Sequence, residues 1–405
     1  MAHRLDPVQI RRLFARTLRV ALDGGPAAAQ LTERWATAEA SDKSWLAAIT
    51  WDGVGAALGW ALASLELRHI APPAVDLHTN DAYEEARSEG EQLTADLQRI
   101  GAEFEAFGVT AIALKGSALL AASYAPDPGI RWTNDLDLLV AETQVEQASW
   151  ILESLDYARG YAPERAGGDR RPARETFTSP EGRTVELQWR LGPTRWGRAA
   201  ATAEWFVRAD TAGLAGLHVP AAADLFWHFL LHDARGHAWS SGSLRSALDL
   251  ALVARAPGFD VGEVMRHLQD DPRRDPLIEA IADAAHLSAT LTTAVEPSTQ
   301  PRYLRLAGWR DFWGRRKWST EKIAEAVAWG ASLDRARRFG GWRSAMEHAL
   351  RAGPASAGEG VGVSVWRALQ SVRHVAFLGA LASAHLVVIP ERVEPEPRRL
   401  PRRTR

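Results

Sequence analysis

Asp135 and Asp137 flank a single leucine in the run DLDLLV, whose leucines and valine read as a buried strand. Side chains alternate along a strand, so both carboxylates point one way while Leu136 and Leu138 point the other. Carboxylates this close repel and raise each other's pKa unless a cation lies between them. Mg²⁺ is the natural choice, a hard ion shared between carboxylates and substrate phosphates. A third carboxylate, Glu186, shares a face with Thr184 and Gln188, opposite Val185, Leu187 and Trp189. Upstream, Gly116 and Ser117 stand where a strand turns into a helix, a place that offers backbone N–H groups and the positive helix end to an anion. Together these parts suit a metal-bound triphosphate. Lys115 reads either as a phosphate ligand or as the polar end of an edge strand. Arg131 reads either as a triphosphate ligand or as a surface side chain of its Gly-Pro loop, and Tyr124 and Trp132 either stack on a base or pack beside that loop.

The elements that hold these residues follow from periodicity. From Pro7 to about Phe107 the pattern is helical throughout with no competing strand, and EEARSEGEQLTADLQRIGAEFEAFG reads as one long helix closed by Gly108. VTAIALKG is then a short strand, SALLAASY a helix, DLDLLV a strand, and Val145 to Leu155 an amphipathic helix. ARETFTSPEGRTVELQW has two alternating runs joined by Pro180, Glu181 and Gly182, as in a hairpin. Strands are thus expected only between about 109 and 190. Beyond them, helices are expected near 221–236, 243–255, 320–337 and 365–388. The expected class is α+β, a small mixed sheet between helical regions. Its boundaries are an N-terminal helical region at 1–108, a catalytic core at 109–192, a helical subdomain at 193–290, a C-terminal helical region at 291–390 and a basic tail at 391–405.

Composition narrows the function. The chain has 405 residues, 48 basic against 50 acidic side chains and no cysteine, which removes disulfide frameworks, thiolate metal sites and cysteine nucleophiles. Near-neutral charge supplies no global pull toward nucleic acid. The Arg-rich start reads as an amphipathic helix rather than a secretory signal, and Val375 to Ile389 is too short for a membrane span, so a soluble, cytoplasmic protein without a transmembrane segment is expected. The proline- and arginine-rich tail reads as a solvated end, with nucleic-acid contact as its alternative.

The Gly-Ser at a helix start, the downstream Asp-x-Asp and the later strand glutamate resemble the nucleotidyltransferase superfamily of DNA polymerase β. More closely, AIALKGSALL, TNDLDLLV, LESLDYARGY and VELQW resemble a bacterial nucleotidyltransferase family whose hallmark runs are Leu-Lys-Gly, Asn-Asp-Ile-Asp and Glu-Leu-His-Trp. The likeness extends over roughly residues 40 to 255, through LLHDARGHAW and SALDLALVA. Gln188 departs from it, standing where that family has histidine, and the interval from Ser117 to Asp135 is longer than in the polymerases. The resemblance implies transfer of a nucleoside monophosphate from an NTP to a hydroxyl acceptor, with two Mg²⁺ ions and pyrophosphate release. Asp135, Asp137 and Glu186 would hold the metals, and Gly116 and Ser117, with Lys115 and Arg131, the phosphates. The acceptor, whether small molecule, peptide or RNA, is open, as is the choice of NTP.

Two rivals accompany this reading. One is a catalytically idle relative serving as partner or scaffold in a biosynthetic or defence gene cluster. The other is metal-dependent hydrolysis at His228, His232, Asp233, His237 and Asp249, although HFLLH lacks the glutamate of a zinc protease and the spacing does not suit an HD-type phosphohydrolase. His232, Arg245 and Asp249 either line the nucleotide or acceptor side of a helical subdomain or are buried polar groups bonded between helices.

Overall fold

The computed structural model describes residues 3–24, 28–122, 124–160, 174–191, 199–211, 213–235, 244–269 and 274–297, all within one compact unit. The helices expected near 320–337 and 365–388, the apolar run Val375 to Ile389 and the basic tail lie outside the described residues.

The N-terminal part is built from α1 (Pro7–Asp23), α2 (Ala28–Thr37), α3 (Asp42–Asp52), α4 (Gly55–Ser64) and α5 (Pro73–Ala106). Asp6 opens α1 by accepting the Val8 and Gln9 N–H groups, while the Gln9 side chain returns to the Asp6 N–H. Trp35 stacks on both Phe14 and Trp45, with ring centroids across the three 5.6–6.2 Å apart, and Arg11 pairs with Asp52 at 2.6 Å, both almost fully buried. Gly108, at φ +72, ends the long α5, with the Val109 N–H returning to the Phe104 carbonyl. The region is not wholly helical as expected. β1 (His3–Arg4) and β2 (Ala38–Glu39) pair in parallel, and two residues are too few to leave a strand period in the sequence.

The sheet begins with β3 (Ala111–Leu114), followed by α6 (Lys115–Ala121), a 3₁₀ turn (Pro128–Ile130) and β4 (Asp135–Val140). Then come α7 (Val145–Ser154), β5 (Ala158–Arg159), β6 (Arg174–Thr178), β7 (Thr184–Gln188), α8 (Ala199–Arg208), β8 (Asp210–Thr211) and β9 (Leu217–Val219). A helical part closes the described chain: α9 (Ala222–Arg235), α10 (Leu244–Val253), α11 (Val261–Gln269), α12 (Arg274–Ala284) and α13 (Ala289–Thr292). The seven strands run in the order β5-β6-β7-β4-β3-β9-β8. β4 is parallel to β7 and β3 parallel to β9, and the other pairs are antiparallel, so the class is α+β with a mixed sheet.

Alternation assigns the two faces of the sheet. Leu136, Leu138, Val140, Val185, Leu187 and Phe177 join the main core with the N-terminal helices. The opposite face carries Asp135, Asp137, Glu186 and Gln188 on β4 and β7, and beside them a small apolar cluster of Ile112, Leu114, Leu139 and Trp205 from α8.

The expectation that strands stop near residue 190 is corrected by β9, which pairs with β3 and carries β8 on its far edge. Three residues cannot display an alternation that distinguishes them from a loop. The strand is held in place by backbone contact instead: Gly216, at φ +67, lies so close to Gly101 of α5 that a methyl there would fall on the Gly101 carbonyl oxygen. Gly216→Ala should therefore lower stability by at least about 2 kcal/mol, adding the cost of the left-handed backbone to the displacement. Chemical denaturation measures it, and an unchanged midpoint would show that this contact yields freely.

Candidate active site

The register of β4 and β7 sets Asp137 directly beside Glu186, with Asp135 beside Thr184 one step along the same face. On the other flank Asp137 lies opposite Leu114, the last residue of β3. There β3 leaves the sheet for α6, and the buried Ser117 hydroxyl accepts the Asp137 N–H at 2.8 Å. The strand-to-helix turn and the Asp-x-Asp strand are thus locked together by one hydrogen bond.

Lys115, the first residue of α6, has φ +48, an uncommon conformation for a residue with a side chain. Its ammonium lies 2.5 Å from Asp137 Oδ1 and 3.8 Å from Glu186 Oε2. β3 lies inside the sheet, between β4 and β9, so the edge-strand reading of Lys115 does not hold. Gln188 Nε2 donates to the same Asp137 Oδ1 at 2.8 Å, so the residue that departs from the resembled family's histidine is in contact with the Asp-x-Asp. Arg174, paired with Gln188 across the hairpin, reaches diagonally to both Glu186 oxygens at 2.9 Å. Asp137 is only 2 % exposed, and burial pushes its carboxyl from an ordinary 3.8 up to about 7, with Lys115 opposing the rise and the Asp135 and Glu186 charges adding to it.

Arg131 is not a surface side chain. It is 13 % exposed, donates from Nε to Asp249 Oδ1 of α10 at 2.7 Å and from Nη1 to Thr133 Oγ1 at 2.9 Å, and lies over the Phe229 ring of α9. Gly116 is packed against it: a methyl at 116 would sit 2.5 Å from Arg131 Nη1 and 2.8 Å from the Thr133 side chain. Arg245, also on α10, donates to the Trp132 carbonyl at 3.0 Å. Asp249 and Arg245 therefore act as bonds between α10 and the loop that leads into β4. Tyr124 packs at the margin of the main core.

Only part of the histidine constellation lies within the described residues. His228 and His232 of α9 lie with nearly parallel rings 6.4 Å apart, and Trp205 meets His228 edge-on. Asp249 is bonded to Arg131, while His237 and the Asp233 side chain lie outside the described residues. Among the described residues, no three His, Asp or Glu side chains are closed up as a ligand set in the positions they occupy. The donor chemistry of the Asp135, Asp137 and Glu186 face nevertheless fits a hard divalent ion. These are oxygen ligands on adjacent strand positions, and two of them already have a cationic side chain drawn against them.

The sequence singled out Asp135, Asp137 and Glu186 by their strand alternation, whereas it left Lys115 open between a phosphate ligand and the end of an edge strand. Gln188 and Arg174 were also within reach, because alternation puts Gln188 beside Glu186 and the hairpin register puts Arg174 opposite Gln188. The Arg131 to Asp249 pair spans 118 residues and left no local signal.

A strand, a Gly-Ser at the start of a helix, and an antiparallel Asp-x-Asp strand flanked in parallel by a glutamate strand are the parts that the resemblance to nucleotidyltransferases implies. Residues 39–288 match the family model described as uncharacterised nucleotidyltransferase, and the chain belongs to that family. That family's description gives nucleotidyl transfer as the general kind of reaction. A comparison with curated proteins finds no match. Among the described residues no single helix is long and apolar enough to cross a membrane.

Proposed function

We propose that this chain moves a nucleoside monophosphate from an NTP to a hydroxyl acceptor at the sheet face that carries Asp135, Asp137 and Glu186. The observation that carries this reading is the direct pairing of Asp137 with Glu186 on neighbouring strands, tied through Ser117 to the Gly116 turn. The three carboxylates would hold divalent ions, Mg²⁺ in the first place, and these would supply charge compensation for the triphosphate and lower the acceptor's hydroxyl pKa.

The chain's own groups do the remaining work. Gly116 and Ser117 present backbone N–H groups to the β and γ phosphates, and Lys115 adds a mobile positive charge. Arg131 serves the phosphates from behind the turn, by fixing Gly116 and Thr133 in place. The acceptor oxygen forms a bond to the α phosphorus, the bond from that phosphorus to the bridging oxygen breaks, and pyrophosphate leaves with the electron pair. The acceptor proton passes by way of Glu186, which is 18 % exposed at its side chain, to solvent. Positioning and electrostatics carry such a reaction, which is why so few side chains suffice.

One observation favours a second reading. Asp137 and Glu186 already have cationic partners within the chain, Lys115 and Arg174, and Gln188 donates to Asp137, as would suit an idle relative acting as a scaffold. Thermal-shift and calorimetric titration with ATP, GTP, CTP and UTP plus Mg²⁺ separates the two. The transferase reading expects one NTP to raise the melting temperature only with metal present, by mass action, and the Asp135→Ala/Asp137→Ala variant to lose that response. No shift with any NTP would put the scaffold first.

A further inference from the structure

Lys115 is the feature of the site that phosphate binding by itself does not explain. Its ammonium does not project toward open solvent; it is 13 % exposed and lies between carboxylates of two adjacent strands, 2.5 Å from Asp137 and 3.8 Å from Glu186. To stand there it adopts φ +48, which costs a residue with a side chain about 1–2 kcal/mol. Strain of this kind persists only where surrounding interactions hold it, and the ion pair with Asp137 is one such interaction.

The residue type carries information as well. Among the 48 basic side chains of the chain, only Lys43, Lys115, Lys317 and Lys322 are lysines. Arginine would bind a carboxylate through a fixed two-pronged fork, whereas lysine is a compact point charge on a flexible stem that can withdraw along its own length. A point charge paired with Asp137 and 3.8 Å from Glu186, whose oxygens Arg174 also holds at 2.9 Å, partly reproduces what a bridging divalent ion would do for the two electrostatically.

We propose that Lys115 is an internal counter-cation: its ammonium occupies the Asp137 and Glu186 carboxylates when no divalent ion is bound, and is displaced when one arrives, which frees it for the triphosphate. This rests on the metal-dependent reading above. It adds that lysine and metal compete, so that metal affinity and phosphate affinity are coupled through one side chain.

The test uses the full chain without nucleotide and Mn²⁺ alone as the probe, followed by electron paramagnetic resonance. Lys115→Met is expected to bind Mn²⁺ about tenfold more tightly than the parent, because it no longer displaces an ammonium, a difference worth about 1.4 kcal/mol. In parallel, the parent protein is acetylated at its amines with and without Mn²⁺ and the lysine peptides are quantified. Modification of Lys115 should rise several-fold with Mn²⁺ while Lys43 stays constant, and this arm needs no variant to fold. A variant that binds Mn²⁺ no more tightly, or Lys115 labelling indifferent to bound Mn²⁺, overturns the counter-cation role and leaves the metal-dependent transferase intact. No Mn²⁺ binding by parent or variant overturns both.

Discussion

Asp137→Asn is expected to reduce nucleotidyl transfer by at least about 10³-fold while the protein stays folded, the scale associated with losing a centre of transition-state charge stabilisation. Asparagine keeps the shape and can still accept from Lys115 and Gln188, so the defect is one of charge. The same substitution should alter stability in the opposite sense. Burial, helped by Asp135 and Glu186 and opposed by Lys115, raises the Asp137 carboxyl from 3.8 to about 7 in the folded chain. The folded state therefore holds this proton more tightly than the unfolded state does. The stability that accompanies it is whole below about 3.8 and is lost as pH rises through about 7. Melting temperatures measured with chelator present should decline for the parent across that window, and the Asp137→Asn profile should be flatter and higher at its alkaline end. Mg²⁺ should restore the parent there by stabilising the carboxylate form. Parallel profiles for the two proteins would show that Asp137 does not titrate in this window, and retained transfer would remove it from the proposed chemistry.

Arg131→Met has the largest expected effect on stability. It strands Asp249, whose side chain is 9 % exposed, without the guanidinium it accepts from, and breaking a buried pair from one side costs about 3–5 kcal/mol. Asp249→Leu strands the arginine in turn. The double variant Arg131→Met/Asp249→Leu should be more stable than either single variant, because neither charge is then left buried alone. Activity should not recover with stability, since Gly116 and Thr133 lose the Arg131 side chain that backs them in the double variant as in Arg131→Met. Denaturant midpoints and kcat against KM, measured on the same samples, separate the two effects. A double variant no more stable than the singles would mean that water reaches this pair, and full activity in the refolded double variant would confine Arg131 to a structural role.

Much of the fold was written in local patterns. DLDLLV became β4 with the bounds its alternation implied, and the hairpin around Gly182 formed β6 and β7. The long helix was read correctly to its end at Gly108, but its start at Pro73 precedes the polar run that announced it. The helices read at 221–236 and 243–255 appear as α9 and α10. β1, β2, β5, β8 and β9 escaped notice because two or three residues cannot show a period, and their pairing is decided by what lies beside them.

The candidate site divides along the same line. By itself the sequence determined that Asp135, Asp137 and Glu186 lie on uniform faces of two strands and that Gly116 and Ser117 stand at a strand-to-helix turn, because a side chain's face depends only on its neighbours along the chain. Only the tertiary structure decided that β4 and β7 lie side by side in the register that joins Asp137 to Glu186. It also brought Lys115 over both carboxylates and carried Asp249 across 118 residues to fix Arg131 behind Gly116. Those relations are set by strand order and helix packing, where many weak contacts distant in sequence act together and no short window records them.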